Sequence, residues 1–329
     1  MGDLRVGLIG LGVMGRHHAR LVRETPGIEL VAVADPGGDR FDVAGGLPVL
    51  DNVEQLIAVG LDAAVVAVPT SLHEDVAVPL AEAGVPTLIE KPVADTVESA
   101  ERVVAAFDKA GRIGAVGYVE RCNPALVEMR RRMGAGELGE IYQIATSRQG
   151  PFPARISDVG VVKDLATHDI DLTSWLAGSP YVTVSAQIAH VSGRPHEDMV
   201  VASGRLANGI IVNHVINWLS PRKERQTVVT GERGAFVADT GSGDLTFYAN
   251  GTVINEWEQL ASFRGVSEGD MLRYAFAKRE PLRMEHEHFR DAVVTGDTSS
   301  IVTLAEGLET LRVVEAVLRS ATAGAAVLL

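Results

Sequence analysis

The stretch that most constrains the fold stands at the start of the chain. The apolar run Leu4 to Ile9 passes at once into Gly10, Gly12 and Gly15, spelled GLGVMG with Val13 and Met14 inside, and then into a helical run from Arg16 to Glu24. In a strand, turn and helix of this order the three glycines have separate tasks. One permits the tight turn, one lets the backbone approach a pyrophosphate, and one lets helix and strand pack closely. A second apolar run, Leu30 to Ala34, ends in Asp35. An acid at that strand end can accept hydrogen bonds from an adenosine ribose and repels a 2′-phosphate. The chain is therefore expected to bind NAD in preference to NADP, a preference that the nearby Arg40 weakens.

Ala63 to Val68 and Thr87 to Ile89 are continuous apolar runs, as strands covered on both faces should be, and each precedes a helical stretch. This βαβ alternation predicts an α/β fold with a doubly wound parallel sheet that binds ligands beyond the carboxyl ends of its strands. The unusual residues fall at that edge: the glycine turn, Asp35, Pro69-Thr70-Ser71 with His73, and Glu90-Lys91-Pro92. Pro69, Thr70, His73, Glu90 and Lys91 thus join the glycine turn, Asp35 and Arg40 as candidate cofactor residues. Lys91 is an ammonium between an acid and a proline at a buried strand end, which requires a partner, and it is assigned a place near substrate and nicotinamide. Pro36 to Leu47 is short and glycine-rich, so the helix after the second strand is expected to be stunted. Ile113 to Val119 closes a first domain at about residue 120.

From residue 121 to 329 the pattern changes. A helix near Ala125 to Met133 leads to a strand, Glu140 to Arg148, and then come Val182 to Val191, Met199 to Leu206, Ile210 to Trp218, Gln226 to Thr230 and Leu245 to Tyr248. Turns such as Asn208-Gly209 and Gly241-Ser242-Gly243 join them, which is how a large open, mostly antiparallel sheet reads. Helices, among them those expected from about His286 and Thr303, would cover one face. The other face is left for a second copy of the chain, so a homodimer or homotetramer formed through this sheet is expected. Trp218 and Trp257 are read as core.

Composition narrows the partners. The 329 residues are 46% hydrophobic and 22% charged, which is globular. With 30 Lys and Arg against 43 Asp and Glu, the net charge of −13 argues against nucleic acid or an anionic membrane as the main partner. A single cysteine, Cys122, rules out an internal disulfide. There is no signal-peptide pattern and no run of roughly 20 apolar residues, so a cytoplasmic protein is expected. Glu285-His286-Glu287-His288 has the residue types of a metal site. Adjacent helical residues do not share a face, however, so it is read as a solvated helix start, with no metal expected. His17 and His18, on the helix after the glycines, are read as packing or lining the cofactor edge.

One stretch of the second part has the makings of chemistry. In DLATHDID, Asp164, His168 and Asp171 stand at i, i+4 and i+7 and share a helix face, beside an apolar stripe of Leu165, Leu172 and Leu176. A carboxylate that orients an imidazole and raises its basicity is a proton-transfer device.

Taken together, GLGVMG, Asp35, Glu90-Lys91-Pro92, VGYVER from Val116 to Arg121 and DLATHDID from Asp164 to Asp171 resemble, in order and spacing, the Gfo/Idh/MocA family of nicotinamide-dependent oxidoreductases. The resemblance covers nearly the whole chain. It implies a Rossmann domain followed by an α/β domain, the last helices returning towards the first, and an active-site trio that here is Lys91, Asp164 and His168. RCNPA at Arg121 to Ala125 and GPFPARISDVGVVKDLATHDID resemble the branch of UDP-N-acetylglucosamine 3-dehydrogenases. The chain departs from many members at Val161, Val162 and Lys163, where a glycine cluster is common, at Ala166, and at Cys122. The expected reaction is reversible oxidation of a secondary alcohol of a sugar or nucleotide sugar. His168 would take the hydroxyl proton, Asp164 orient it, and Lys91 donate to the substrate oxygen. Arg148, Arg155, Lys163 and Lys223 are candidates to hold an anionic substrate group, with Arg121 and Asp171 beside the substrate. Two other classes fit part of the pattern: an NAD(H)-binding regulator or pseudoenzyme, and a redox-neutral NAD-dependent lyase or hydrolase.

Overall fold

The computed structural model describes residues 2–153, 159–251 and 268–329. The chain clusters into two compact units, Met1–Val119 with Glu280–Arg312, and Glu120–Arg279 with Val313–Leu329.

In the first unit the chain runs through β1 (Leu4–Ile9), α1 (Val13–Glu24), β2 (Ile28–Ala34), β3 (Val49–Leu50), α2 (Val53–Ala58), β4 (Ala63–Val66), α3 (His73–Glu82), β5 (Thr87–Glu90), α4 (Val97–Ala110) and β6 (Gly114–Gly117). The strands are parallel in the order β3-β2-β1-β4-β5-β6. That is the doubly wound arrangement, with its switch point between β1 and β4. All of β4 and the last four residues of β1 are buried, because helices cover both faces of the sheet; hence the unbroken apolar runs. Residues 36–48 hold no helix. Asp42, Gly38, Gly45 and Gly46 there all take positive φ, which a helix cannot contain. The helix comes only after β3, as α2, capped by Asn52, whose side chain accepts from the Gln55 N–H.

In the second unit, α5 (Pro124–Gly134), β7 (Ile141–Pro151), α6 (Thr167–Ala177), β8 (Tyr181–Ala189), β9 (Met199–Leu206), β10 (Ile211–Asn217), β11 (Leu219–Gly231), β12 (Gly234–Asp239), β13 (Asp244–Asn250), β14 (Glu268–Arg273) and β15 (Val327–Leu328) form a nine-stranded sheet with its helices. The sheet order is β14-β13-β12-β11-β7-β10-β9-β8-β15; β7 and β10 pair in parallel and the remaining neighbours antiparallel. α5 packs on β12 and β13, and the turn that opens α6 packs on β9 and β10. On the opposite face Val201 pairs with Val215, and both remain exposed together with Ile211. Trp218 is buried, as expected of core, whereas Trp257 lies outside the described residues.

Two helices precede β15, α7 (Pro281–Thr295) and α8 (Leu304–Ala323). The expectation that a helix from about His286 covers the second sheet is corrected here. α7 packs on α1, and its Phe289 joins the first unit's core with Val6, Leu8 and Leu30. Its apolar stripe, Phe289 and Val293, fits against Leu4, Val6 and Ile28 at the base of the parallel sheet. Burial of each such side chain contributes about 1.5–3 kcal/mol, so the stripe fixes where the helix docks.

Candidate active site

The three glycines of the first turn divide their work as their chemistry requires. Gly10 takes φ +95°, and a Cβ there would meet the Ala67 carbonyl oxygen at 2.4 Å. A Cβ on Gly15 would meet the Gly10 oxygen at 1.9 Å, so only hydrogen lets α1 cross the turn this closely. A Cβ on Gly12 would meet nothing within 4 Å, because Gly12 faces an open pocket of 400 Å³. Gly12 is also the N-cap of α1 and makes no side-chain cap bond, and the first turn carries no acid. The helix N-terminus is thus ready for an anion.

Asp35 stands on the same pocket with Gly10, Arg40, Phe41, Pro69 and Leu72. Its Oδ2 accepts the Leu11 N–H at 2.8 Å and its Oδ1 the Gly37 N–H at 2.7 Å. Each oxygen keeps acceptor capacity for a ribose hydroxyl. Phe41, 46% exposed, and Leu72 line the pocket and were missed in the sequence, because an apolar side chain in a loop gives no periodic signal. These residues suit a dinucleotide, which when bound would rest its phosphates on the turn and its ribose on Asp35. Val13 is exposed and Met14 half-buried on the first turn of α1. Thr70 begins a short 3-10 turn, Thr70–Leu72.

His73 does not fulfil its expected contact with a cofactor. It is 1% exposed, with Nδ1 2.9 Å from the Pro92 oxygen and Nε2 3.1 Å from the Val68 oxygen. Burial lowers its pKa and favours the neutral ring, which sits between the loops after β4 and β5 and donates its one proton to one of the two carbonyls. Glu90 and Lys91 are half-buried at the end of β5, where the Lys91 N–H donates to Glu90 Oε2 at 3.1 Å and the Lys91–Pro92 peptide is cis.

In the second unit the helix bearing Asp164 and His168 begins irregularly. Val162–Ala166 form a π-helical turn that runs into α6. Such turns are rare and concentrate at functional sites. Asp164 is 6% exposed, while His168, four residues on, is half-buried. Residues four apart stay on neighbouring positions of the helix surface, so a buried carboxylate accompanies a more accessible imidazole.

Two of the expected substrate-binding arginines serve other ends. Arg148 is 6% exposed; Nε donates to Asp169 Oδ2 at 3.0 Å and Nη1 to Glu120 Oε1 at 2.7 Å. Although burial opposes its charge, Asp169 and Glu120 raise its pKa far above the ordinary value. It is an interior cation closed to a substrate anion. Arg121 grips Asp171, which is 1% exposed, so Asp171 braces α6 and is likewise closed to a substrate. Asp169 and Glu120 were not singled out in the sequence; the helical spacing of DLATHDID drew attention to the other acids. Lys163 is half-buried beside Asp164 in the π turn, and Arg155 lies outside the described residues.

Lys223 does face open space. It lines a 590 Å³ pocket of the second unit with Arg222, Arg225, Gly241 and Ser242, opposed by Glu224 and Asp239. Arg225 is anchored by Nη1 to the Gln149 and Glu224 carbonyl oxygens at 2.6 and 2.7 Å. The signal that could have found this pocket is the charge run Arg222-Lys223-Glu224-Arg225.

The acid and histidine run of α7 also differs from expectation. Helix α7 starts at Pro281, so Glu285 and His286 lie beyond its first turn, and they are 7% and 2% exposed. Two adjacent residues can both be buried when the buried stripe passes between them, as it does towards Phe289 and Ala292. His18 is fully buried against His286 and Glu90. Among the described residues no group of three or more His, Cys, Asp or Glu side chains is arranged to hold a metal ion, and no helix is long and apolar enough to cross a membrane.

Comparison with known proteins agrees with this architecture. Residues 4–118 match the Gfo/Idh/MocA oxidoreductase family, NAD-binding Rossmann fold, and residues 126–237 match the Gfo/Idh/MocA C-terminal domain. Inositol 2-dehydrogenase of Corynebacterium glutamicum strain R is 31% identical over 65% of this chain and 67% of its own. UDP-N-acetylglucosamine 3-dehydrogenase of Acidithiobacillus ferrooxidans is 30% identical over 89% of this chain and 90% of its own. The crystal structure of that enzyme, GnnA, superposes with a TM-score of 0.82 at 26% identity over 98% of this chain and 99% of its own. WlbA dehydrogenase of Bordetella pertussis, solved in complex with NADH and UDP-GlcNAcA, gives a TM-score of 0.79 at 25% identity over 99% of both chains. With its NAD-binding Rossmann fold and its second domain both matched, the chain is a member of the Gfo/Idh/MocA oxidoreductase family.

Proposed function

We propose that the protein is an NAD-dependent dehydrogenase acting on a secondary alcohol, or the corresponding ketone, of a nucleotide sugar. NAD, when bound, supplies the hydride acceptor or donor. The residues supply the rest. Neutral His168 takes the hydroxyl proton, the buried carboxylate of Asp164 orients the imidazole and stabilises its cation, and Lys91 donates a hydrogen bond to the substrate oxygen as negative charge develops there. The π turn that buries Asp164 beside the more open His168 is the observation that carries this assignment.

The basic pocket of Arg222, Lys223 and Arg225 favours a substrate with an anionic diphosphate over an uncharged polyol. The two named activities among the relatives, on inositol and on UDP-N-acetylglucosamine, divide on that point. The test is a panel of myo-inositol, scyllo-inositol, UDP-N-acetylglucosamine and its uronic acid, each with NAD, read at the NADH absorbance band. NADH from the UDP-sugars is expected. Turnover of inositols alone removes the nucleotide sugar, and no NADH from any member removes the dehydrogenase. His168→Ala should keep NAD binding and lose most turnover.

The exposed Val201, Val215 and Ile211 on the open face of the second sheet support self-association through that face. Light scattering of the wild type against Val201→Glu with Val215→Glu tests it, with a smaller particle expected for the variant.

A further inference from the structure

Behind the strand end that carries Lys91 lies a chain of buried ionisable groups that the proposed reaction does not use. Three elements of the first unit supply them: His18 from α1, Glu90 from the end of β5, and Glu285 and His286 from α7. His18 Nε2 lies 2.8 Å from Glu90 Oε1, and His18 Nδ1 lies 3.0 Å from His286 Nε2. The two imidazoles meet edge to face, with ring centres 5.1 Å apart and planes at 77°. The second oxygen of Glu90 accepts the backbone N–H of Lys91.

The inventory of protons in this chain is constrained. An ionised carboxylate only accepts, so His18 Nε2 carries a proton. The other nitrogen, Nδ1, meets His286 Nε2, accepting from it in a singly protonated ring and donating to it in a doubly protonated one. Burial, followed by the nearness of His18, holds His286 well below the usual histidine range, which keeps it neutral. Burial, followed by the charge of Glu90, pushes Glu285 well above the usual carboxylate range; its Oε2 is buried without a hydrogen-bond partner. Burial works against ionisation of Glu90 too, yet the His18 hydrogen bond and the charges of His18 and Lys91 hold it below its usual value. The ionised carboxylate of the array is therefore Glu90, the residue that precedes Lys91.

We propose that His18 is a positioning residue for Lys91: it donates to Glu90 from one ring nitrogen, is held by His286 at the other, and so locks the Glu90 carboxylate and the Lys91 backbone in register with the cofactor helix α1. The inference rests on the reading of Lys91 as a group that touches substrate. The second histidine has a definite part in it. A ring that meets only a carboxylate can flip, and a hydrogen-bond partner on the far nitrogen removes that freedom. Because α1 begins at Gly12 on the cofactor pocket, the same chain of bonds joins the helix that would receive phosphates to the strand end that presents the ammonium.

Ring nitrogen NMR of the wild-type protein tests the geometry without any substrate. The His18 signals, identified by their loss in His18→Gln, should show a proton fixed on Nε2, towards Glu90. A His18 ring without a proton on Nε2 overturns the proposal. Kinetics test the function. His18→Ala and the volume-conserving His286→Phe should lower kcat by about tenfold or more while KM for NAD changes by less than about threefold, the loss of roughly one buried hydrogen bond at the transition state. His18→Gln, which keeps a donor towards Glu90, should recover part of kcat. Equal losses in His18→Ala and His18→Gln, or a rise in KM for NAD at unchanged kcat, overturn the positioning role. If the wild type turns over no sugar, the dehydrogenase reading fails separately, and the tautomer measurement alone decides whether the chain of bonds exists.

Discussion

Arg121 holds Asp171 through two hydrogen bonds, Nη2 to Oδ1 at 2.6 Å and Nε to Oδ2 at 2.9 Å, and the acid is 1% exposed. Both charges are shielded from water, so the pair resists being broken more than it adds to net stability. Asp171→Ala or Arg121→Ala alone should cost about 3–5 kcal/mol, because each removes the two-bonded partner of a charge held in the interior. Arg121→Met combined with Asp171→Leu should recover most of that loss. Urea unfolding of the three variants checks the prediction, and a double variant as unstable as either single one contradicts it.

The glycine turn separates folding from binding. Gly15→Ala forces a Cβ against the Gly10 carbonyl, so it should destabilise the first unit by roughly 1–3 kcal/mol or more and abolish NAD binding with it. Gly12→Ala meets no protein atom and should leave stability within about 0.5 kcal/mol of wild type. Its methyl would project into the pocket proposed for the cofactor, so NAD affinity should fall by about tenfold or more, some 1.4 kcal/mol. Thermal melts and calorimetric titration with NAD distinguish the two.

Asp35 should set the choice of nucleotide. Asp35→Ser removes the charge that repels a 2′-phosphate, while Arg40 remains on the pocket to meet one. The ratio of NADP to NAD affinity is expected to rise by about tenfold or more. An unchanged ratio would place the ribose away from this acid.

Acid should destabilise the second unit through His214. Burial lowers its pKa to about 4, and its two ring nitrogens meet Thr146 Oγ1 at 2.7 Å and Tyr181 Oη at 2.9 Å. The folded pKa lies below the unfolded value of about 6.5, so the unfolded chain binds a proton that the folded chain refuses. The stability is whole above pH about 6.5 and is lost as pH falls towards 4, at up to about 1.4 kcal/mol per pH unit from this one group. His214→Gln should unfold more easily at pH 7 yet show a flatter decline over that window. Denaturant midpoints at a series of pH values report the slope, and parallel curves for the two proteins would rule His214 out as the source.

Some of this molecule could be read in one dimension. Continuous apolar runs announced the parallel strands because burial on both faces leaves no place for alternation, and GLGVMG announced the turn because no side chain fits at Gly10 or Gly15. The alternating runs of the second part announced the larger sheet. The short strand β12 was passed over, since its run of six residues contains two alanines and a glycine and has little to distinguish it. Asp164 and His168 could be paired from spacing alone, but the π turn beneath them could not, because it arises where Val161 and Val162 are drawn to the interior.

Partners far apart in sequence were decided only by the tertiary structure. Arg148 and Arg121 carry the residue type of an anion site, yet the acids that hold them stand 21 and 28 residues from the first and 50 from the second. His18 and His286 are 268 residues apart, and α7 brings them together by burying Phe289 on the first sheet. Local sequence specifies the conformation of a segment and which of its faces is apolar, because sterics and burial act residue by residue. Which charges meet inside is settled by the packing of whole elements, and no period or motif in the chain records it.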